Sequence, residues 1–197
     1  MQRKKLKVSP SSAYRLIHPM HTVLVSCIGK DRKPNIITLA WVMPTSIDPP
    51  LVAVSIAPSR HSHKLIEETK EFVVNIPTMD MLKETLYCGR TSGKTHNKFE
   101  ETGLTASHSR KIKSPTIEEC VANLECKLHS QFATGDHTIF VGEIVEAYAD
   151  ETFTDRYDSE KARMIFHLGA NDFATLDPKV FKPKLLRKTR ASFRRSI

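Results

Sequence analysis

LVAVSIAPSRHSHKLIEETKEFVVNI, residues 51–76, changes its period twice. Residues 51–57 are a short apolar run rich in β-branched side chains, the pattern of a buried strand, and Pro58 ends it. Residues 61–70 then place Leu65, Ile66 and Thr69 on one side and charges on the other, which predicts a short amphipathic helix. Residues 71–77, EFVVNIP, return to strand and close at Pro77. Where strand gives way to helix, the first helical turn offers unpaired N–H groups beside Ser59, Arg60 and Ser62. Such a turn suits an anion, because the helix dipole favours negative charge and an arginine can fork onto phosphate oxygens. The alternative is that Ser59 simply caps the helix.

Outward from this window the pattern is mostly strand. Residues 22–28 (TVLVSCI) and 35–41 (NIITLAW) flank the turn GKDRK and read as a hairpin. Residues 79–88 and the stretch NKFEETG read as further short helices. ECVANLECKLHSQFATG and HTIFVGEIVEAYA read as two long strands joined by a tight turn at Gly135-Asp136, and MIFHLG as a last strand. Many short strands joined by turns, with a few small helices inserted, predict a mainly β fold, a closed or nearly closed barrel. Regular strand–helix alternation and GxGxxG are both missing, which argues against a Rossmann-type dinucleotide fold.

A second cationic stretch, CGRTSGKTHNKF at 88–99, contains GKT, the ending of a P-loop. The wide phosphate loop needs a glycine five residues before Gly93, where this chain has Cys88, and a buried strand in front, where this chain has a helical pattern. The NTPase reading fails on both counts. What remains is a group of donors, Ser92, Lys94 and Lys98, able to converge with Arg60 and Ser62 on one phosphate. No cluster of magnesium-binding carboxylates stands nearby, so the phosphate is expected to belong to a cofactor.

Composition narrows the function further. The net charge of +8 is concentrated at the ends: residues 1–7 carry four basic groups and residues 179–197 carry eight, with no acid in either. The remainder holds 18 basic against 22 acidic groups. The basic tail could meet RNA, a membrane surface or an acidic partner, or stay solvated. The acidic body and the lack of stacked aromatic motifs argue against nucleic acid, and that reading predicts binding lost to salt and to removal of the tail. Four cysteines without a CxxC pair speak against a zinc ribbon or a thioredoxin motif and are expected as buried thiols. Apolar runs too short to cross a bilayer, and an N-terminus unlike a signal peptide, lead us to expect a cytoplasmic protein without a membrane partner. The histidine pairs His18/His21 and His61/His63 have spacings that could bind metal, but no metal site is expected from them. His61 is expected beside the phosphate, and His137 and His167 as structural or substrate-side groups. Asn75 is expected to serve a strand-end hydrogen bond.

The stretch from Asn35 to Pro77 carries a resemblance. Asn-x-x-Thr-x-x-Trp, then Pro-Pro-Leu-x-x-x-Ser, Ser-Arg-x-Ser, Glu-Phe-x-x-Asn-x-Pro, Ser92-Gly93, Lys98-Phe99, Gly135-Asp136-His137 and His167-Leu168-Gly169 follow in order. This series resembles the flavin reductase-like, FMN-binding split-barrel family, which includes flavoredoxins and archaeal ferric reductases, over about residues 10–176. The resemblance implies a Greek-key split β-barrel at residues 1–178, a basic tail at 179–197, a homodimer, and one FMN per subunit near the dimer interface. It sets Thr38, Ala40 and Trp41 along the isoalloxazine edge, largely through backbone groups, and Ser55 beside the ribityl chain. Arg60, Ser62, Ser92, Gly93 and Lys94, with His61 adjacent and Lys98 available, are set at the phosphate. The family commonly has Asp where this chain has Asn97. The function implied is an NAD(P)H-dependent flavin or ferric reductase working through bound FMN, with no catalytic side chain required. The alternative is a non-enzymatic FMN carrier fed by a redox protein.

Overall fold

Alternating β-branched residues and a tight turn at 29–33 make the first hairpin, and the remaining strands assemble around it in a computed structural model that describes residues 3–183. A 3-10 helix, Pro10–Ile17, leads into β1 (Met20–His21), β2 (Val23–Ile28), β3 (Pro34–Leu39), β4 (Val42–Ser46) and β5 (Leu51–Ile56). Helix α1 (His61–Thr69) and β6 (Glu71–Ile76) follow, then α2 (Leu82–Arg90) and α3 (Lys98–Thr102). The chain continues through β7 (Ala106–Ser107), β8 (Thr116–Ile117), β9 (Ala122–Thr134) and β10 (His137–Ala149), and closes on β11 (Phe166–Gly169) and β12 (Asp172–Ala174).

The main sheet has seven strands in the order β3-β2-β6-β9-β10-β5-β4. Every ladder is antiparallel. The edges β3 and β4 are consecutive in sequence, so the sheet curls until its ends meet without pairing: a mainly β, Greek-key split barrel, as expected. Ser55 N donates to Trp41 O at 3.0 Å, a further rung that carries the β4–β5 ladder to the residue before β4.

β2 shows why its sequence is apolar at every position but Ser26. Val23, Val25 and Cys27 enter the barrel core with Val54, Ile56, Ile66, Phe72 and Phe140. Leu24 faces the other way, into a smaller core with Ile36, Met81, Cys88, Phe99 and Ile117. Strands have a period of two, so a strand covered on both faces reads as continuously hydrophobic. Each fully buried aliphatic or aromatic side chain here contributes about 1.5–3 kcal/mol. The smaller core fixes α2 and α3 against β3, and with them the walls of the site.

Asn75 does more than close a strand end. Its Nδ2 donates to Leu24 O at 3.0 Å and to Ser26 Oγ at 2.9 Å, while its Oδ1 accepts from Ile117 N at 3.0 Å and Asn123 Nδ2 at 2.9 Å. One buried amide thus ties β2, β6, β8 and β9. The four cysteines are free, buried thiols, as expected. No helix among the described residues is long and apolar enough to cross a membrane. Most of the expected basic tail, from residue 184 on, lies outside the described residues.

Candidate functional site

Two adjoining cavities lie along β3. The first, about 300 Å³, sits between the ends of β3 and β5, helix α2 and the β11–β12 hairpin, and Thr38, Ala40, Trp41 and Ser55 all line it. The second, about 260 Å³, is walled by the start of α1 and the segment after α2, including His61, Ser62, Ser92, Gly93 and Lys98. Ile37, Arg60, Gly89 and Arg90 belong to both, so the two form one bent cleft.

The first cavity lies against an open sheet edge. Lys98 Nζ donates to Ile36 O at 2.7 Å, so the backbone of Ile36 points away from β2. By the strand's period of two, the backbone groups of Thr38 and Ala40 share that direction, toward the gap in the barrel. The Thr38 hydroxyl donates to Thr85 O at 2.6 Å, pinning α2 to β3. Trp41 is not a core residue: it is 37% exposed, and its ring lies 4.8 Å from His137 and 5.9 Å from Tyr14 between centroids. Its carbonyl is already engaged by Ser55 N, which leaves the ring and the N–H as its means of contact.

His137 and His167 both border the first cavity. Asp136 bonds His137 Nδ1 at 2.7 Å, and that hydrogen bond holds the Asp136 carboxyl below its usual range. The hydroxyls of Thr22 and Thr85 on the same cavity are buried and have no hydrogen-bond partner among the described residues. Buried polar atoms are normally paired, so these two point to a polar occupant.

At the second cavity the N-cap of α1 is Arg60, in extended conformation, and no side chain among the described residues caps the helix. The alternative in which Ser59 is the cap therefore fails by one residue. The N–H groups of His61 and Ser62, at the first two helical positions, have no intrahelical acceptor. Ser62 Oγ accepts from Asn35 Nδ2 at 2.7 Å, leaving its own O–H to donate. Gly93 makes the closest approach: a Cβ there would fall 2.7 Å from Asn35 Cγ and 3.0 Å from His61 Cδ2. That bare backbone beside a helix N-terminus and hydroxyl groups is a cradle for a small anion.

Two expected phosphate residues are placed differently. Lys98 is buried, and its ammonium is shared between Ile36 O and Cys88 O, each at 2.7 Å. Burial lowers its pKa. It works as a tie between β3 and α2 within the wall of the second cavity. Lys94 is exposed and lines neither cavity of the cleft; with Gly93 it faces a separate space on the outer side. Asn97 caps α3, its side chain accepting from Glu100 N at 3.5 Å, a task that Asn and Asp perform alike. His63 is structural, bonded through Nε2 to Thr138 Oγ1 at 2.8 Å.

The residues that sequence reasoning passed over are Asn35, Thr22, Thr85 and Arg90. Arg90 Nη2 donates to Ala170 O at 2.7 Å and also to Asn171, holding the β11–β12 turn over the first cavity. Asn35 carried a usable signal: a polar residue at the head of an apolar strand, on the face opposite Thr38.

Comparison with known proteins bears on the family and the fold. The model of the flavin reductase like domain matches residues 14–165. An uncharacterized protein of Archaeoglobus fulgidus is 39% identical over 168 residues, covering 85% of this chain and 94% of that one. A flavin reductase of Pseudomonas putida is 30% identical over 152 residues, 77% of this chain and 81% of that one. Among solved structures, flavoredoxin from Methanosarcina acetivorans superposes with a TM-score of 0.80 at 28% identity, covering 95% of this chain and 98% of that chain.

Proposed function

Since the chain belongs to the flavin reductase-like family, we propose that it is an FMN-binding oxidoreductase, an NAD(P)H-dependent flavin or ferric reductase. The observation that carries this reading is the two-part cleft, a flat cavity on an open strand edge continuing into an anion cradle at a helix N-terminus. The residues fit the cofactor. Arg60, Ser62, Gly93 and the first N–H groups of α1 would hold the phosphate, with His61 and Ser92 beside it. Thr38, Ala40 and Trp41 would meet the ring edge, and Ser55 the ribityl chain. Lys98 would act through its charge from within the wall of the second cavity, and Lys94 from outside the cleft.

Bound FMN supplies the chemistry of accepting a hydride or electrons and passing them on. The chain's own task is to orient the ring, to set hydrogen bonds along its edge, and to leave one side open for a transient donor. The Trp41 and His137 rings form the rim there, and Arg90 holds the opposite wall. Similarity to flavoredoxins favours a second reading, an FMN carrier fed by another redox protein. We place its work in the cytoplasm, a reading that four free thiols support. We also infer a homodimer, supported by exposed apolar side chains at one sheet edge, Met43 in β4 and Ile47 just after it. Sedimentation at micromolar concentration tests it, and a monomer refutes it.

The deciding experiment is the visible spectrum of the FMN-loaded protein, followed anaerobically by NADPH and then NADH. Flavin bands that bleach quickly support the reductase. Bands that persist support the carrier, and a chain that cannot be loaded with FMN refutes both.

A further inference from the structure

The β2–β3 turn, the end of α1 and the loop between β7 and β8 surround a space of about 820 Å³, which shares no lining residue with the bent cleft. It lies in the size range of small-ligand sites.

The loop on one side is held by the strands beneath it. Glu125 in β9 is fully buried and accepts from Arg110 N and Lys111 N, each at 2.7 Å, and from the Tyr148 hydroxyl at 2.8 Å. Glu71, at the head of β6, accepts through Oε1 from Lys113 N at 2.7 Å and Ser114 N at 2.8 Å. Both carboxylates therefore grip main chain, and the exposed basic side chains of the loop stay outside. Of these, His108 and Lys113 line the space.

Lys30 and Arg32 of the turn line it from the opposite side. Arg32 has φ +63°, a left-handed conformation that glycine or asparagine adopts more readily. Its backbone closes the turn, Arg32 N donating to Gly29 O at 2.9 Å, but its guanidinium has neither an ion pair nor a hydrogen bond among the described residues. The fold thus keeps an arginine where its backbone is least at ease and gives the side chain no internal task.

The acids on the space are already engaged, Glu71 by the loop and Glu68 by Lys64 at 3.6 Å. Acids outnumber bases over residues 8–178, yet here Lys30, Arg32 and Lys113 face one another unanswered across a gap. Like charges on opposite walls call for a ligand with several anionic groups, and an arginine fork beside lysines suits phosphate. Ile28 and Ile112 add apolar surface.

We propose that this space is a second anion site, separate from the cleft, which takes a polyphosphate group, either free or carried by a nucleoside resting on Ile28 and Ile112. The site goes beyond the flavin reading and does not depend on it.

The test is calorimetric titration of the full chain with inorganic tripolyphosphate and with ATP, each with and without saturating FMN. Both probes are expected to bind, and FMN to leave their Kd within about twofold, because the sites are separate. Tighter binding of ATP identifies a nucleoside-borne group, and equal binding a free one. Arg32→Glu/Lys113→Glu is expected to raise the Kd about tenfold or more, whereas Lys83→Glu/Lys161→Glu, the same change of net charge elsewhere, leaves it within about twofold. Arg32→Gly, which suits the turn, is expected to weaken binding severalfold while keeping or raising the melting temperature. The inference is overturned if neither probe binds, if FMN competes with them, or if the two double variants shift the Kd equally. A chain that fails to take up FMN refutes the flavin reading alone, since the variants still decide this one.

Discussion

Gly93→Ala adds one methyl group at the narrowest point of the cleft. The new carbon would start 2.7 Å from Asn35 Cγ and 3.0 Å from His61 Cδ2, so something must yield. Asn35 is buried and holds Ser62 Oγ at 2.7 Å; displacing it would break a buried hydrogen bond and cost about 1–3 kcal/mol of stability. The segment bearing Gly93 is easier to move, since Ser92, Lys94 and Thr95 are exposed and its hydrogen bonds are local ones onto Ser92, from Thr95 N at 3.1 Å and His96 N at 3.0 Å among them. The loop therefore yields, and the cradle opens. Losing one or two charge-assisted hydrogen bonds to a phosphate costs about 1.5–3 kcal/mol, which raises the FMN Kd about 10- to 150-fold. Titration followed by flavin fluorescence reads this directly, and thermal melting of the flavin-free chain is expected to be unchanged. Riboflavin, which lacks the phosphate, supplies the control: its weaker binding is expected to be the same in both chains. An FMN Kd within twofold of the parent value would refute the cradle, and a large drop in melting temperature would show that Asn35, not the loop, gives way.

Arg60→Ala is expected to weaken FMN binding by about 1.5–3 kcal/mol, the scale of a hydrogen-bonded charged partner, with Arg60→Lys intermediate because it keeps charge without the fork; unchanged affinity in titration removes Arg60 from the site. Asn75→Ala is expected to cost about 2–4 kcal/mol in urea unfolding, because it strips partners from Ile117 N, Asn123 and Leu24 O at once; a loss under about 1 kcal/mol contradicts its role as a hub. Burial raises the thiols of Cys27 and Cys88 from 9.0 to about 11 and pushes Cys120 and Cys126 higher still. The unfolded chain sheds those protons near pH 9 while the folded chain keeps them, so stability is expected to fall as pH rises from 9 through 11. Lys98, whose pKa burial lowers, acts in the opposite sense, one group against four thiols. Chemical denaturation across that range checks the slope, which Cys88→Ala should flatten; a slope that Cys88→Ala leaves unchanged removes Cys88 as a contributor.

The parts of the fold legible in sequence are those in which a local pattern and its turn chemistry agree. The β2–β3 hairpin, α1 and the β9–β10 pair, turned at Gly135 with φ +59°, lie where residues 22–28, 35–41, 61–70 and 119–149 were expected to put them. β4 was not legible, because its Pro44 reads as a breaker. It is tolerated because β4 is an edge strand, whose outer side needs no ladder donor. The two- and three-residue strands β1, β7, β8 and β12 have no period to read and form only because a neighbour is already in place. The site divides in the same way. Arg60, His61 and Ser62 follow from the strand–helix junction, whereas Thr22, Thr85 and Arg90 reach the cleft through packing of distant segments. Lys98 shows the limit most clearly, since a lysine committed to two buried carbonyls and a lysine open to a ligand are the same letter.

The cleft also follows from how the barrel is split. A fully closed barrel would pair β3 with β4, the other edge, and leave no open strand edge. Here β3 stays an edge, and its outward backbone positions are divided in use: Ile36 O goes to Lys98, while those at Thr38 and Ala40 face the first cavity. At about 3.3 Å per residue, the run from Asn35 to Trp41 extends from the anion cradle to the aromatic rim, so one strand bears on both halves of a long ligand. Under the flavin reading, the ring end would then be recognised largely by main chain, which tolerates changes of side chain that preserve strand geometry. The phosphate end depends on particular residues, a glycine that leaves room, an arginine at a helix N-cap and a buried hydroxyl. That asymmetry explains why the chain's most informative sequence lies at the phosphate end, while the cavity that would hold the reactive ring is lined by residues as plain as Leu39, Ala40 and Ala57.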